Sequence, residues 1–123
     1  MNRSIILVLA ITFLTLSLPS SALADRSTRI HTPRGEVITL VITSSVLKNT
    51  RIHDLAFSKS GDLFSITAAP LPSADSIQTI SISFHQGSTV AQTDYVDIGP
   101  GKTAQEVYCP ESFDQIVIDS SVY

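Results

Sequence analysis

Two carboxylates beside a glycine-containing turn are the first candidates for chemistry in this chain. Asp94 and Asp97 lie in the stretch Asp94–Gly99, and carboxylate oxygens of this kind bind calcium, which takes roughly six to eight oxygen ligands. Side chains three residues apart on a strand point to opposite faces, so both bind one ion only if the chain is looped there. Calcium binding is therefore one alternative, and solvated acids that protect a sheet edge are the other.

Tyrosines are the second set of candidates. The chain has three tyrosines and no tryptophan, and a tyrosine offers a partner a rigid apolar ring with a polar tip. If Tyr95 and Tyr108 lie on adjacent strands, they form one exposed patch for a protein or a sugar. Surface tyrosines without a function are the alternative. The candidate binding residues are thus Tyr95, Tyr108, Asp94 and Asp97.

Residues typical of catalysis or metal binding lack the spacing that such sites need. His31, His53 and His85 occupy separate segments, and none has a second ligand at a short, regular spacing. No serine lies in a Gly-x-Ser-x-Gly turn, and the stretch Gly99–Thr103 lacks the first glycine of a phosphate loop. The sequence predicts no catalytic residue, no metal and no cofactor, and a small hydrolase is kept as the third functional class.

The single cysteine cannot form a disulfide within the chain. Cys109 is a small buried hydrophobe, a free thiol or half of an intermolecular disulfide. A reactive thiolate needs a positive neighbour or a base, whereas the local charges, Glu106 and Glu111, are acidic. We therefore expect an unreactive side chain, with burial as the first alternative.

These candidates depend on strands for their positions, and strand patterns dominate residues 25–123. Apolar and polar residues alternate in short segments separated by turn residues, whereas helical periodicity is almost absent. Pro70–Ser76 is predicted to be a connection, because its prolines lack backbone donors. The predicted strands are Glu36–Ser44, Arg51–Ser58, Leu63–Ala69, Ile77–His85, Thr89–Thr93 (with Asp94–Ile98 as its continuation or as a new edge segment), Thr103–Cys109 and Gln115–Val122.

About seven strands at this spacing predict an all-β fold. Two packed antiparallel sheets would cover each other's apolar faces, as in an immunoglobulin-like β-sandwich, and a small β-barrel is the alternative. Residues 25–123 match the size of a single domain with one core.

The first 24 residues have the layout of a secretory signal peptide. Arg3 precedes the uncharged run Ile5–Leu18, and Ala22-Leu23-Ala24 then provides small residues on either side of a leucine. The run is shorter than the roughly 20 residues that a membrane span needs. We expect cleavage after Ala24, a secreted or periplasmic product, and no transmembrane anchor in residues 25–123.

Charge is distributed unevenly along the chain. Residues 25–59 contain six of the eight bases and three of the eleven acids, whereas the other eight acids follow residue 60 with Lys102 as the single base. If the two halves interleave in a sandwich, the folded surface shows no such polarity. The alternative is a basic face that meets an acidic partner or phosphate.

These observations favour a non-catalytic, exported β-sandwich that acts by binding another exported or envelope protein, as an accessory, adaptor or inhibitor protein does. A carbohydrate- or calcium-binding module is the alternative. Nucleic acid is excluded as a partner, because the chain is acidic overall and has no basic cluster. The sequence leaves the oligomeric state open.

Overall fold

The computed structural model describes residues 24–72 and 77–121. These residues form eight strands and one short helix. In chain order the elements are β1 (Arg26–His31), β2 (Val37–Ile42), α1 (Ser44–Asn49), β3 (Thr50–Phe57), β4 (Leu63–Pro70), β5 (Gln78–Gln86), β6 (Thr89–Ile98), β7 (Thr103–Tyr108) and β8 (Gln115–Ser120). The predicted signal peptide lies outside the described residues, apart from Ala24.

The strands form two sheets that face each other. A five-stranded sheet has the order β1-β2-β8-β5-β6, and a three-stranded sheet has the order β3-β4-β7. The predicted two-sheet β-sandwich is therefore confirmed, with eight strands rather than about seven. Neighbouring strands pair antiparallel, except that β2 and β8 run parallel in the middle of the larger sheet. The described strands do not close into the barrel that the sequence left as an alternative.

The core is formed by apolar residues that alternate strictly with polar residues along the strands. On β5, for example, Ile80, Ile82 and Phe84 are buried while the residues between them are part-exposed. The inward residues of both sheets join one hydrophobic cluster, as expected when a half-buried strand has a period of two. Three phenylalanines cross its centre: the ring of Phe84 lies edge-on to Phe64, with centroids 6.4 Å apart, and to Phe113, with centroids 5.1 Å apart.

Two elements differ from the sequence prediction near the start of the domain. β1 was not predicted, because its inward positions are mostly polar and only Ile30 is buried. It forms a hairpin with β2, in which Gly35 donates to the carbonyl of Thr32 over 2.9 Å. The predicted strand Glu36–Ser44 was also too long, since β2 ends at Ile42 and α1 begins at Ser44.

The bounds of the other strands agree with the sequence prediction or differ from it by a few residues. Thr89–Ile98 is one continuous strand, so Asp94–Ile98 continues its predecessor. Pro70, assigned to a connection, is the last residue of β4, where it lies opposite Thr50. Residues 73–76 of that connection lie outside the described residues. Within the described ranges, no helix is long and apolar enough to cross a membrane.

Carboxylates from distant parts of the chain hold the start of α1. The backbone N–H of Ser44 donates to Oδ1 of Asp25 over 2.8 Å. Oδ1 of Asp119, on β8, accepts from the hydroxyls of Thr43 at 2.7 Å and Ser45 at 3.0 Å. A short helix gains little stability from its own hydrogen bonds. These contacts and the buried side chains of α1 therefore fix it between the sheets.

We expect Asp119→Ala to destabilise the fold by about 2 kcal/mol, because hydrogen bonds to an ionised acceptor are lost. Hydrogen bonds from Thr43, then from Ser45 and the Ser120 N–H, lower the pKa of Asp119 below its ordinary 3.8, against the opposing effect of burial. A lowered pKa stabilises the fold above pH 3.8, and this contribution is lost as the pH falls through the folded-state value. Urea titrations from pH 7 to pH 2 measure both effects.

The control for this variant is Asp119→Asn, which keeps an acceptor and removes the charge. It should be less destabilising than Asp119→Ala and should show the same weakened dependence of stability on acid pH. Equal pH dependence in the wild type and both variants would contradict the assignment.

Candidate functional site

A cleft of about 420 Å³ opens between β6 and β7. These strands are the edges of different sheets, so the cleft lies at one open side of the sandwich. Its lining consists of residues from these two strands: Gln92, Asp94, Tyr95, Val96 and Asp97 from β6, and Gln105, Glu106, Val107 and Tyr108 from β7.

All four candidate residues from the sequence line this cleft. Tyr95 and Asp97 point away from the core, because Val96 and Ile98 between and beside them are buried. Asp94 is on the opposite, inward face of β6 and is half-buried. Tyr108 is on β7 and points outward next to the buried Val107. The structure thus brings the four together at one cleft.

The two tyrosines are the most solvent-accessible large hydrophobic side chains in the described part of the chain. Tyr95 is 61% exposed and Tyr108 is 75% exposed. An aromatic ring held this far out of the core on a regular strand keeps its face available to another molecule. The tyrosines therefore give the cleft its apolar contact area.

Two glutamines connect β6 and β7 across the cleft. They were not among the candidate residues predicted from the sequence. Nε2 of Gln92 donates to the carbonyl of Tyr108 at 2.5 Å and to Oδ2 of Asp94 at 2.7 Å. In the opposite direction, Nε2 of Gln105 donates to the carbonyl of Asp97 at 2.9 Å. Side-chain amides thus link the two edge strands at both ends of the cleft. Gln92 could have been noticed in the sequence, because it is a polar residue at an inward position of β6, where a core strand would have an apolar one.

The charged side chains that line the cleft are acidic. Its described lining contains three carboxylates, Asp94, Asp97 and Glu106, and no lysine or arginine. Asp97 accepts a hydrogen bond from the hydroxyl of Thr79 at 2.7 Å on the outer face of the sheet. A partner with positive charge would meet complementary charge here.

The same geometry weakens the calcium alternative. β6 is a continuous strand through Asp94 and Asp97, so their carboxylates lie on opposite faces, and the looped conformation that calcium requires is not formed. Across residues 24–72 and 77–121, no three His, Cys, Asp or Glu side chains are grouped to hold a metal ion. The described cleft lining offers aromatic rings, side-chain amides and carboxylates.

Cys109 follows the cleft and is half-buried against the core. Burial raises the pKa of its thiol from an ordinary 9.0 to about 11; the positive charge of Arg34 acts in the opposite direction, and the negative charge of Asp62 adds to the rise. The expectation of an unreactive thiol rested on Glu106 and Glu111, whereas the structure gives burial as the main cause.

We expect Cys109 to react slowly with iodoacetamide in the folded protein. With a pKa of about 11, the thiolate is about 0.1% of the population at pH 8, and the rate should rise about tenfold per pH unit up to that pKa. Urea-unfolded protein is the control, because its thiol titrates near the ordinary value. A rate in the folded protein that levels off near pH 9 would contradict the raised pKa.

Comparisons with protein families, with curated protein sequences and with solved structures find no match for this chain.

Proposed function

We propose that this chain is an exported, non-catalytic β-sandwich protein that acts by binding another exported or envelope protein through the cleft between β6 and β7. One observation carries the proposal: the two most exposed large hydrophobic side chains of the described residues, Tyr95 and Tyr108, line the same open cleft. Tyrosine is enriched among the residues that dominate binding energy at protein interfaces.

The strands beside the tyrosines support this role. β6 and β7 are edge strands, and an edge can accept an extended segment of a partner through backbone hydrogen bonds. The amide bridges from Gln92 and Gln105 hold the two edges at a fixed separation, so the surface is formed before a partner arrives. Preorganisation of this kind lowers the entropic cost of association.

Affinity purification from the native envelope tests the proposal. The wild-type chain, expressed with residues 1–24 in place, should capture a specific protein. Loss of both rings in Tyr95→Ala/Tyr108→Ala should reduce capture by more than tenfold, since a truncated hot-spot tyrosine costs about 2 kcal/mol. The matched control is Val37→Ala/Ile77→Ala, which removes exposed apolar side chains elsewhere and should leave capture unchanged. Equal capture by wild type and the tyrosine variant would reject the cleft as the site.

The mass of the purified protein tests export separately. We expect a mature chain that begins at Asp25, because Ala22 and Ala24 fit the small-residue pattern of a cleavage site. A chain that keeps residues 1–24 and fractionates with the cytoplasm would reject the exported part of the proposal.

Carbohydrate binding is the second candidate, because exposed tyrosine rings stand beside the amides of Gln92 and Gln105 and the carboxylate of Asp94. A sugar ring stacks on such aromatic faces while its hydroxyls bond to amides and carboxylates. Glycan-array binding by the purified protein, abolished in Tyr95→Ala/Tyr108→Ala and accompanied by no captured protein, would favour this candidate over the first.

A further inference from the structure

The carboxylates of the cleft come from both of its edge strands. Asp94 is at an inward position of β6, between the two sheets, and is half-buried. Glu106 is exposed on the outer face of β7, next to the buried Val107. Asp97 is exposed on the outer face of the larger sheet. A cation that enters the cleft therefore meets negative charge from β6 and from β7.

The amide bridges bring two of these carboxylates to the same part of the cleft. Gln92 and Gln105 donate to backbone carbonyls of the opposite strand and hold β6 beside β7 in opposite chain directions. Asp94 lies between the bridged residues of β6, and Glu106 lies between the bridged residues of β7. These two acids therefore face the same opening, whereas Asp97 lies at one end of it.

Asp94 is held in position without losing its charge. Nε2 of Gln92 donates to its Oδ2 at 2.7 Å, which fixes the carboxylate but brings no positive charge. Its Oδ1 accepts no hydrogen bond from the residues that the structure describes. Because a partly buried charge is screened less by salt than an exposed one, Asp94 offers a cation a preorganised acceptor.

The bases near the cleft do not neutralise its acids. Lys102, the single lysine or arginine after residue 60, lies in the turn between β6 and β7 and is not part of the cleft lining. Arg34 acts on Cys109, just beyond β7, but its guanidinium is paired with Asp62 at 2.9 Å. The negative charge of the cleft is therefore available to a cation from another molecule.

We propose that the protein partner presents a basic side chain, an arginine or a lysine, to this cleft. Its charged head lies at Asp94 and Glu106, and its aliphatic stem packs against Tyr95 and Tyr108. The inference rests on the proposed function and specifies the chemistry of the partner. Tyrosine rings attract a cation over their faces, and the stem of an arginine or lysine packs along apolar surface. A basic side chain thus complements both the rings and the carboxylates, whereas an acidic segment is repelled.

Fluorescence anisotropy with synthetic peptides tests the inference on the purified protein. The probe is a fluorescein-labelled peptide, Gly-Ser-Arg-Ser-Arg-Ser-Gly, and its control carries glutamate in place of both arginines. At about 0.05 M salt the protein should bind the arginine peptide about tenfold more tightly than the glutamate peptide. The preference should disappear at about 1 M salt, where the Debye length is roughly 3 Å. Equal binding of the two peptides at low salt overturns the inference.

Removal of charge without change of shape locates the basic side chain. Asp94→Asn keeps an oxygen that accepts from Gln92, so the bridge is retained. The variant Asp94→Asn/Glu106→Gln should bind the arginine peptide about tenfold more weakly than the wild type. Asp54→Asn/Glu36→Gln is the matched control, because it removes the same charge from exposed positions outside the cleft, and it should bind like the wild type. Equal weakening by both variants would mean that only net charge matters, which overturns the inference.

Capture from the envelope distinguishes this inference from the proposed function. We expect both Asp94→Asn/Glu106→Gln and Tyr95→Ala/Tyr108→Ala to lose the captured protein. If the tyrosine variant loses it and the acid variant keeps it, the inference is overturned while the cleft remains the binding site. If the tyrosine variant also keeps it, the proposed function of the cleft is rejected as well.

Discussion

Phe84→Ala should destabilise the domain by about 4 kcal/mol, within the range for removing a fully buried phenylalanine. Phe84 is 0% exposed, and its ring stands edge-on to Phe64 and Phe113. Truncation removes both aromatic contacts and leaves a cavity bordered by both sheets, which rigid strands cannot close. Because domains of this size are stable by only about 5–15 kcal/mol, the variant should unfold at a much lower urea concentration than the wild type.

The control is Phe57→Ala. Phe57 is half-buried and packs against the core at its margin, with its ring centroid 5.2 Å from that of Phe64. Solvent can fill part of the space left there, so we expect about half the loss of stability found for Phe84. Similar losses for the two variants would show that Phe84 does not occupy the centre of the core.

Gly99→Ala is the second substitution with a large expected effect. Gly99 follows β6 with a φ of +101°, a conformation that residues with a side chain rarely adopt. An added Cβ would also overlap the ring of Pro70 at the end of β4. Backbone strain and overpacking each cost about 1–3 kcal/mol, so we expect a total loss of about 3 kcal/mol, measured by urea denaturation.

Gly101→Ala separates the effect of backbone strain from that of the overlap with Pro70. Gly101 has a similar positive φ of +84°, but no atom lies within 4 Å of the position that its Cβ would take. Gly101→Ala therefore keeps the backbone strain but causes no steric overlap, so we expect it to lower the free energy of unfolding by about 1 kcal/mol. Equal effects at the two glycines would show that the contact with Pro70 contributes nothing.

The sequence predicts an element well where one face of a strand is apolar. β5 was identified within one residue, because Ile80, Ile82 and Phe84 alternate with polar residues. β1 was missed because an edge strand buries few of its residues, and Ile30 is its only buried one. α1 was missed because six residues are fewer than two helical turns, too few to show a helical period. Contacts with Asp25 and Asp119, distant in sequence, determine its start.

For the candidate site too, the sequence predicts what depends on one strand and does not predict what depends on the arrangement of several strands. Strand alternation placed Tyr95 and Tyr108 outward, and it correctly separated Asp94 from Asp97. It could not show that β6 and β7 border one cleft, because that requires knowing which strands form the edges of the two sheets. Strand alternation marks Gln92 and Gln105 as polar residues at inward positions, but it could not identify the carbonyls to which they donate.

The parallel pairing of β2 with β8 has a consequence for the order in which the domain assembles. β8 is the last strand in the described chain, yet it occupies the centre of the larger sheet, between β2 and β5. Until it is present, the β1–β2 and β5–β6 hairpins have no shared neighbour. Non-local pairing of this kind slows folding, so a chain emerging from synthesis stays incompletely folded until its final strand is available.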